Sequence, residues 1–156
     1  MNYYDQIAEG YEELHREEQL KKVKLVIDLI NIGDETVLDV GCGTALYGDL
    51  FSDYTGVDNS KGMLEKSKYN VQYGDAEEIP FLDDSFDCVI SITALQNVKN
   101  IQKAISEIKR VSKNKIAISV LKKSSKISKF KELLSDFEQF EEDKDIIFYK
   151  LIKHSE

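Results

Sequence analysis

Four strand-forming residues, Val37-Leu38-Asp39-Val40, run directly into Gly41-Cys42-Gly43-Thr44, and this junction restricts the fold more than any other stretch of the chain. Glycines one residue apart let the backbone turn sharply and let a ligand approach main-chain atoms where a Cβ would collide. Thr44 suits the cap of a following helix, since its hydroxyl can accept from exposed N–H groups there. The junction therefore predicts strand, glycine turn and helix, an arrangement that receives a nucleotide at the edge of a parallel sheet. A plain strand-to-helix connection rich in glycine has the same local pattern, so the decision falls to residues downstream.

Fifteen residues beyond Gly43 stands Asp58, ending the short apolar run Tyr54-Thr55-Gly56-Val57. An acid at the tip of a second strand can accept from both hydroxyls of a ribose. A third run, Tyr69 to Tyr73, ends in Gly74-Asp75-Ala76, and a fourth, Phe86 to Ser91, is almost continuously apolar, as strands buried on both faces are. A doubly wound sheet places these strand ends along one edge, so Gly41, Gly43, Asp58 and Asp75 face one crevice. A nicotinamide dehydrogenase competes for the same loop, but its third glycine would fall at position 46, which is Leu46.

The rest of the chain fits an α/β fold. Leu20, Val23, Val26, Ile27 and Ile30 keep a helical spacing in a segment, residues 1–32, that should stop near Gly33. Asn100 is a cap for a second stripe, Ile101, Ala104, Ile105, Ile108 and Val111, and Lys115 to Leu121 reads as the fifth strand. Phe137 to Phe140 and Asp145 to Ile152 flank an acidic turn and predict a terminal hairpin, whose second strand is bulky on both faces and so lies between two others. At 156 residues and 42% hydrophobic, 1–156 reads as one domain able to bury on the order of 70% of its unfolded surface. Cys42 and Cys88 lack a CxxC spacing, so no metal is expected. No apolar run approaches the ~18 residues of a membrane span, and a cytoplasmic protein with reduced thiols is the expectation.

With these residues in view, the chain resembles the class I methyltransferases that use S-adenosylmethionine, in the group with a VLDVGCGTG loop and a GDAEELPF-type third motif. The resemblance runs from Tyr3-Tyr4-Asp5 to the terminal hairpin and implies a mostly parallel, seven-stranded, Rossmann-like sheet closed by an antiparallel hairpin. It implies that Gly41, Cys42 and Gly43 lie against the methionine part of S-adenosylmethionine, with Asp39 supporting its amino group. Asp58 would hold the ribose, Asn59 would lie near the adenine, Asp75 and the Ala76 backbone would recognise its edge, and Ser91 would belong to the cofactor side. The group's third loop glycine is here Ala45, a change that a first helical turn should tolerate. The paired histidines and the Asn-Pro-Pro-Tyr motif of some relatives are missing after the fourth strand, where Gln96 and Asn97 stand as acceptor-binding candidates.

The acceptor is approached through charge. A net charge of -8 argues against a protein that coats nucleic acid, yet Ile108 to Lys131 carries nine basic residues and no acid. Lys122, Lys123 and Lys126 follow the fifth strand and should sit at the sheet's carboxyl edge, where an anionic acceptor would bind. Tyr11, and beside it Tyr3, Tyr4 and His15, are further candidates in a segment that folds over the cofactor in similar enzymes. His154 reads as solvated. These features favour RNA, tRNA or rRNA, over a small anionic metabolite; with RNA, the resemblance to minimal methyltransferases that act on RNA implies a small activator protein as partner. A cofactor-binding subunit without turnover is a third possibility.

Overall fold

A computed structural model describes residues 3–152 of the chain, with side chains from Leu14 onward. Strands β1 (Thr36–Val40), β2 (Asp53–Asp58), β3 (Val71–Tyr73), β4 (Phe86–Ile92), β5 (Ser112–Leu121), β6 (Glu138–Glu141) and β7 (Asp145–Leu151) form one sheet in the order β3-β2-β1-β4-β5-β7-β6. The first five are parallel, and β7 enters antiparallel between β5 and β6. From β1 the chain adds β2 and β3 on one side, then crosses over to add β4 and β5 on the other, which leaves the glycine turn after β1 at the switch point of a doubly wound sheet.

Helices α1 (Tyr3–Ile30), α2 (Lys61–Glu65), α3 (Ile101–Val111) and α4 (Ile127–Leu133) complete the layers. Strand periodicity divides the core. Leu38, Val40, Val57, Val89, Ile116 and Ile118 point to one face and meet the α3 stripe together with Phe130. Val37, Cys88, Ile90, Ala117 and Ile147 point to the other and meet Val23, Val26 and Ile30 of α1. Each fully buried Val or Ile contributes about 1.5–3 kcal/mol, so truncating Ile108 at the centre of α3 should cost 2 kcal/mol or more, on the order of a typical core cavity.

Local chemistry sets the boundaries. The Asn100 side chain accepts from the Lys103 N–H at 3.1 Å, capping α3 as its sequence suggested. The first helix ends three residues before Gly33, because Asn31 takes the left-handed conformation (φ 51°) and lets the Ile32 N–H reach back to the Ile27 carbonyl.

One expectation fails. No helix follows the glycine turn and Thr44 caps none: residues 44–47 are turns, succeeded by a single 3-10 turn at Gly48–Leu50. Ala45 is the cause, since it is buried with φ at 56° and donates back to the Cys42 carbonyl, folding the chain on itself where a first helical turn would run outward. The short α4 also lay outside the sequence pattern, its apolar positions Ile127, Phe130 and Leu133 being too few to register.

Candidate active site

The carboxyl ends of β1, β2, β3 and β4 open into one crevice of about 690 Å3, within the size range of small-molecule sites. Its floor is the glycine turn. Gly41 (φ 78°) and Gly43 (φ 58°) both adopt backbone that side chains resist, and a Cβ on Gly41 would lie 2.6 Å from the Ala94 methyl. The Gly41 and Cys42 N–H groups donate to the Val57 carbonyl, which ties the turn to β2. Cys42 contributes backbone to the crevice while its thiol packs on Gly56, whose missing Cβ makes the space, and burial pushes that thiol's pKa far up. Neither cysteine has thiolate character, since burial also raises Cys88, to about 12.

Asp58 closes the next wall. Its carboxylate accepts from the Gly43 N–H at 2.8 Å and from the Ser60 N–H at 2.9 Å, so the acid is fixed before any ligand arrives. Asn59 lies beside it in the lining, and Asp75 and Ala76 line the crevice after β3. The segment behind Asp75 is anchored from α3: the Glu107 carboxylate accepts from the Ile79 N–H, while the Arg110 guanidinium donates to Glu107, Asp83 and the Ile79 and Phe81 carbonyls. Arg110 holds the Glu107 carboxyl below the usual carboxylate range.

Asp39 stands one side chain behind the wall. It is fully buried and accepts from the Tyr54 hydroxyl at 2.6 Å, and burial lifts its pKa to about 6 against the opposing pull of the Tyr54 and Tyr47 hydroxyls, Tyr47 being a crevice-lining residue. Its other oxygen, Oδ1, has no hydrogen-bond donor among the described residues.

The remaining candidates separate. Asn97 lines the crevice, whereas Gln96 turns away to donate to the Thr93 carbonyl. Ser91 does not reach the crevice: it is wholly buried, its hydroxyl donating to the Val40 carbonyl and binding β4 to β1. Lys122 and Lys123 do not line it either, because Lys122 turns to the Asp143 carbonyl in the β6–β7 turn. Lys126 instead donates to the carbonyls of Gln96 and Val98, and Lys115 pairs with Glu35, so the basic run is dispersed. The side chains of Tyr3, Tyr4 and Tyr11, and all of His154, lie outside the described residues. His15 and Gln19 of α1 do line the crevice, as does Lys99, which the sequence reading passed over although it directly precedes the α3 cap.

Residues 38–118, which carry every crevice wall except α1, match the family described as methyltransferase domain. The chain belongs to that family. It is a class I, S-adenosylmethionine-type methyltransferase by sequence and fold. An uncharacterized protein of Methanocaldococcus jannaschii is 35% identical over 72% of this chain and 47% of its own length. The demethylmenaquinone methyltransferase of Thermotoga maritima is 31% identical over 78% of the chain and 60% of that protein. The 18S rRNA (guanine-N(7))-methyltransferase of Bos taurus is 35% identical over 54% of the chain and 35% of its own length. The chain thus spans from about a third to three fifths of these relatives. Among solved structures, a putative S-adenosylmethionine-dependent methyltransferase from Methanococcus maripaludis superposes with a TM-score of 0.79 at 18% identity, covering 97% of this chain and 93% of that one. A putative methyltransferase solved in complex with the Haloferax volcanii Trm112 activator gives 0.73 at 16% identity over 94% and 96%. No helix among the described residues of the methyltransferase chain is long and apolar enough to cross a membrane.

Proposed function

We propose that the chain transfers a methyl group from S-adenosylmethionine to a small acceptor that carries negative charge. Asp58 carries the reading: a carboxylate prefixed by the glycine turn, at the tip of β2 and beside Asn59, Asp75 and Ala76, is a ribose acceptor next to an adenine wall. The residues fit the cofactor in two further ways. The Gly41–Gly43 backbone has no Cβ on the crevice floor, and Asp39 keeps one buried oxygen without a donor among the described residues, near where a cationic amino group would be held. The bound sulfonium supplies an already activated methyl group, so no protein nucleophile is required. The chain's own residues have to orient the acceptor and exclude water, which falls to α1 through His15 and Gln19 and to the segment from Thr93 to Lys99.

The acceptor follows from where positive charge lies. Lys99 and His15 line the crevice, whereas Lys115, Lys122 and Lys126 are engaged elsewhere in the fold. A single lining ammonium, Lys99, suits a small acid better than a phosphodiester chain, whose binding draws on several phosphate contacts. RNA is the second reading, favoured by the rRNA-modifying relative and by the neighbour held by an activator protein. On that reading a similar small activator would supply the RNA-binding surface.

Titration calorimetry with S-adenosylhomocysteine and with NAD tests the cofactor: the first should bind and the second should not. Asp58→Asn keeps an acceptor for the Gly43 N–H yet loses charge-assisted bonds worth about 1.5–3 kcal/mol, so affinity should fall roughly tenfold to a hundredfold. Incubation with S-adenosylmethionine and either a metabolite extract or rRNA and tRNA, with and without an activator, then locates the methyl by mass. Methyl found on RNA alone would replace the small-acid reading, and cofactor binding with no methylated product would leave a binding subunit.

A further inference from the structure

Thr93 is the least comfortable residue of the crevice. Its φ is 52°, and where Asn31 and Asp84 tolerate that region, a β-branched residue there is a genuine outlier. Such strain persists only where the surroundings over-determine it. Here they do. The Thr93 N–H donates to both the carbonyl and the hydroxyl of Ser119 at 3.0 Å, and its carbonyl accepts from Gln96. Its hydroxyl donates to Asp145 Oδ2 at 2.7 Å and accepts from the Lys22 ammonium at 2.9 Å.

Lys22 belongs to α1 and Asp145 begins β7, so three distant parts of the chain converge on one hydroxyl. The ammonium lies 3.2 Å from Asp145 Oδ1, with the two side chains 7% and 0% exposed, but that oxygen receives no aligned hydrogen bond; the directed bond goes to Thr93. For stability alone such a buried pair has no advantage over a packed apolar one. What it adds here is position. Thr93 lines the crevice, and the next residue, Ala94, rests its methyl against Gly41 of the cofactor turn. His15 and Gln19, seven and three residues before Lys22, lie on the same face of α1 and line the crevice too.

We infer that Lys22 is a positioning residue for the active site: by bonding Thr93 and Asp145 it makes the seating of α1 and the left-handed turn that presses Ala94 onto Gly41 a single event. With the ammonium gone, Thr93 relaxes, Ala94 leaves the glycine turn, and the α1 wall loosens with it. The inference rests on the cofactor reading above, and its test separates the two.

S-Adenosylhomocysteine is the probe, with calorimetric Kd and amide exchange as readouts. The double variant Lys22→Met/Asp145→Leu removes both charges without leaving one buried and unpaired; it should bind the probe about tenfold more weakly. Adding Thr93→Gly, a residue that takes positive φ without strain, should recover most of that loss. A merely structural pair would shift unfolding and leave Kd alone, so a folded double variant within twofold of the parent overturns the inference. In the parent, the probe should slow exchange at the Asn97 and Val98 amides and along residues 16–22 together, and protection of one segment without the other also overturns it. This measurement stands if the double variant fails to fold. A parent that does not bind the probe refutes the cofactor reading instead; the linkage is then judged by whether Lys22→Met speeds exchange at Thr93, Asn97 and Val98 while Phe148 stays protected, and unchanged exchange there refutes it.

Discussion

Asp39→Asn should change how stability depends on pH more than any other single substitution in this fold. The carboxyl is fully buried, and burial outweighs the Tyr54 and Tyr47 hydroxyls in lifting its pKa from an ordinary 3.8 to about 6. Between those values the folded state holds a proton that the unfolded state has released, so stability falls as pH rises through the window. A carboxyl moved that far corresponds to about 3 kcal/mol, fully present below pH 4 and lost above pH 6. Glu35, Glu107 and Asp136, whose pKa values are lowered by Lys115, Arg110 and Lys150, act in the opposite sense, so the parent's own profile is a mixture. The variant isolates one group. Its amide keeps an oxygen for Tyr54 and places its NH2 where Oδ1 lacks a donor, at a cost that does not vary with pH. Urea denaturation without cofactor at pH 4.5 and 7.5 measures the difference. The variant should gain on the parent by about 2 kcal/mol from the lower to the higher pH. Parallel profiles would show that Asp39 titrates normally, and the buried-acid account of the layer behind the crevice wall would be wrong.

Two other substitutions probe the walls. Ala45→Gly relieves about 1–2 kcal/mol of left-handed backbone strain, offset by about 0.4–1 kcal/mol of unfolded-state entropy and by about 0.8 kcal/mol for the buried methyl. It should therefore be nearly neutral, whereas Ala104→Gly in the buried face of α3 should cost about 2 kcal/mol; equal costs in denaturation would contradict the geometry at position 45. Arg110→Ala removes the donor that gathers the Ile79, Phe81 and Asp83 oxygens, so exchange at the Ile79 amide should quicken and S-adenosylhomocysteine affinity drop severalfold, and an unchanged exchange rate would show that Glu107 suffices.

The parts of this molecule that were legible in its sequence are those governed by periodicity and backbone freedom. The α3 stripe, the almost continuously apolar β4, the part of β5 over residues 115–121, and Gly41 with its positive φ could each be read from a few neighbours. The same holds for Asp58, because the register of β1 against β2 brings its acid to Gly43. What could not be read depended on side chains choosing between distant partners. Ser91 looked available and is taken by Val40; Lys122 and Lys126 looked like an anion site and satisfy carbonyls instead. Ala45 shows a further limit, since alanine gives no sign of the left-handed turn that glycine would have announced. Thr93 and its meeting with Lys22 and Asp145 join positions 71 and 52 residues apart, beyond the reach of any local pattern.

The insertion of β7 between β5 and β6 orders the chain in time as well as in space. During synthesis β1 to β5 can pair as they emerge, but the far edge of β5 stays open until residue 151 has left the ribosome, and β6, made earlier, has no other strand to join. An open, apolar strand edge is a template for pairing with another chain. Helix α1, made before every strand of the sheet, is also among the last elements to settle, because Asp145, which Lys22 meets, belongs to the last strand made. A stalled ribosome or a premature stop before codon 145 would thus release a product with β1 to β5 paired and the far edge of β5 open and sticky, the kind of fragment that chaperones must hold or proteases remove.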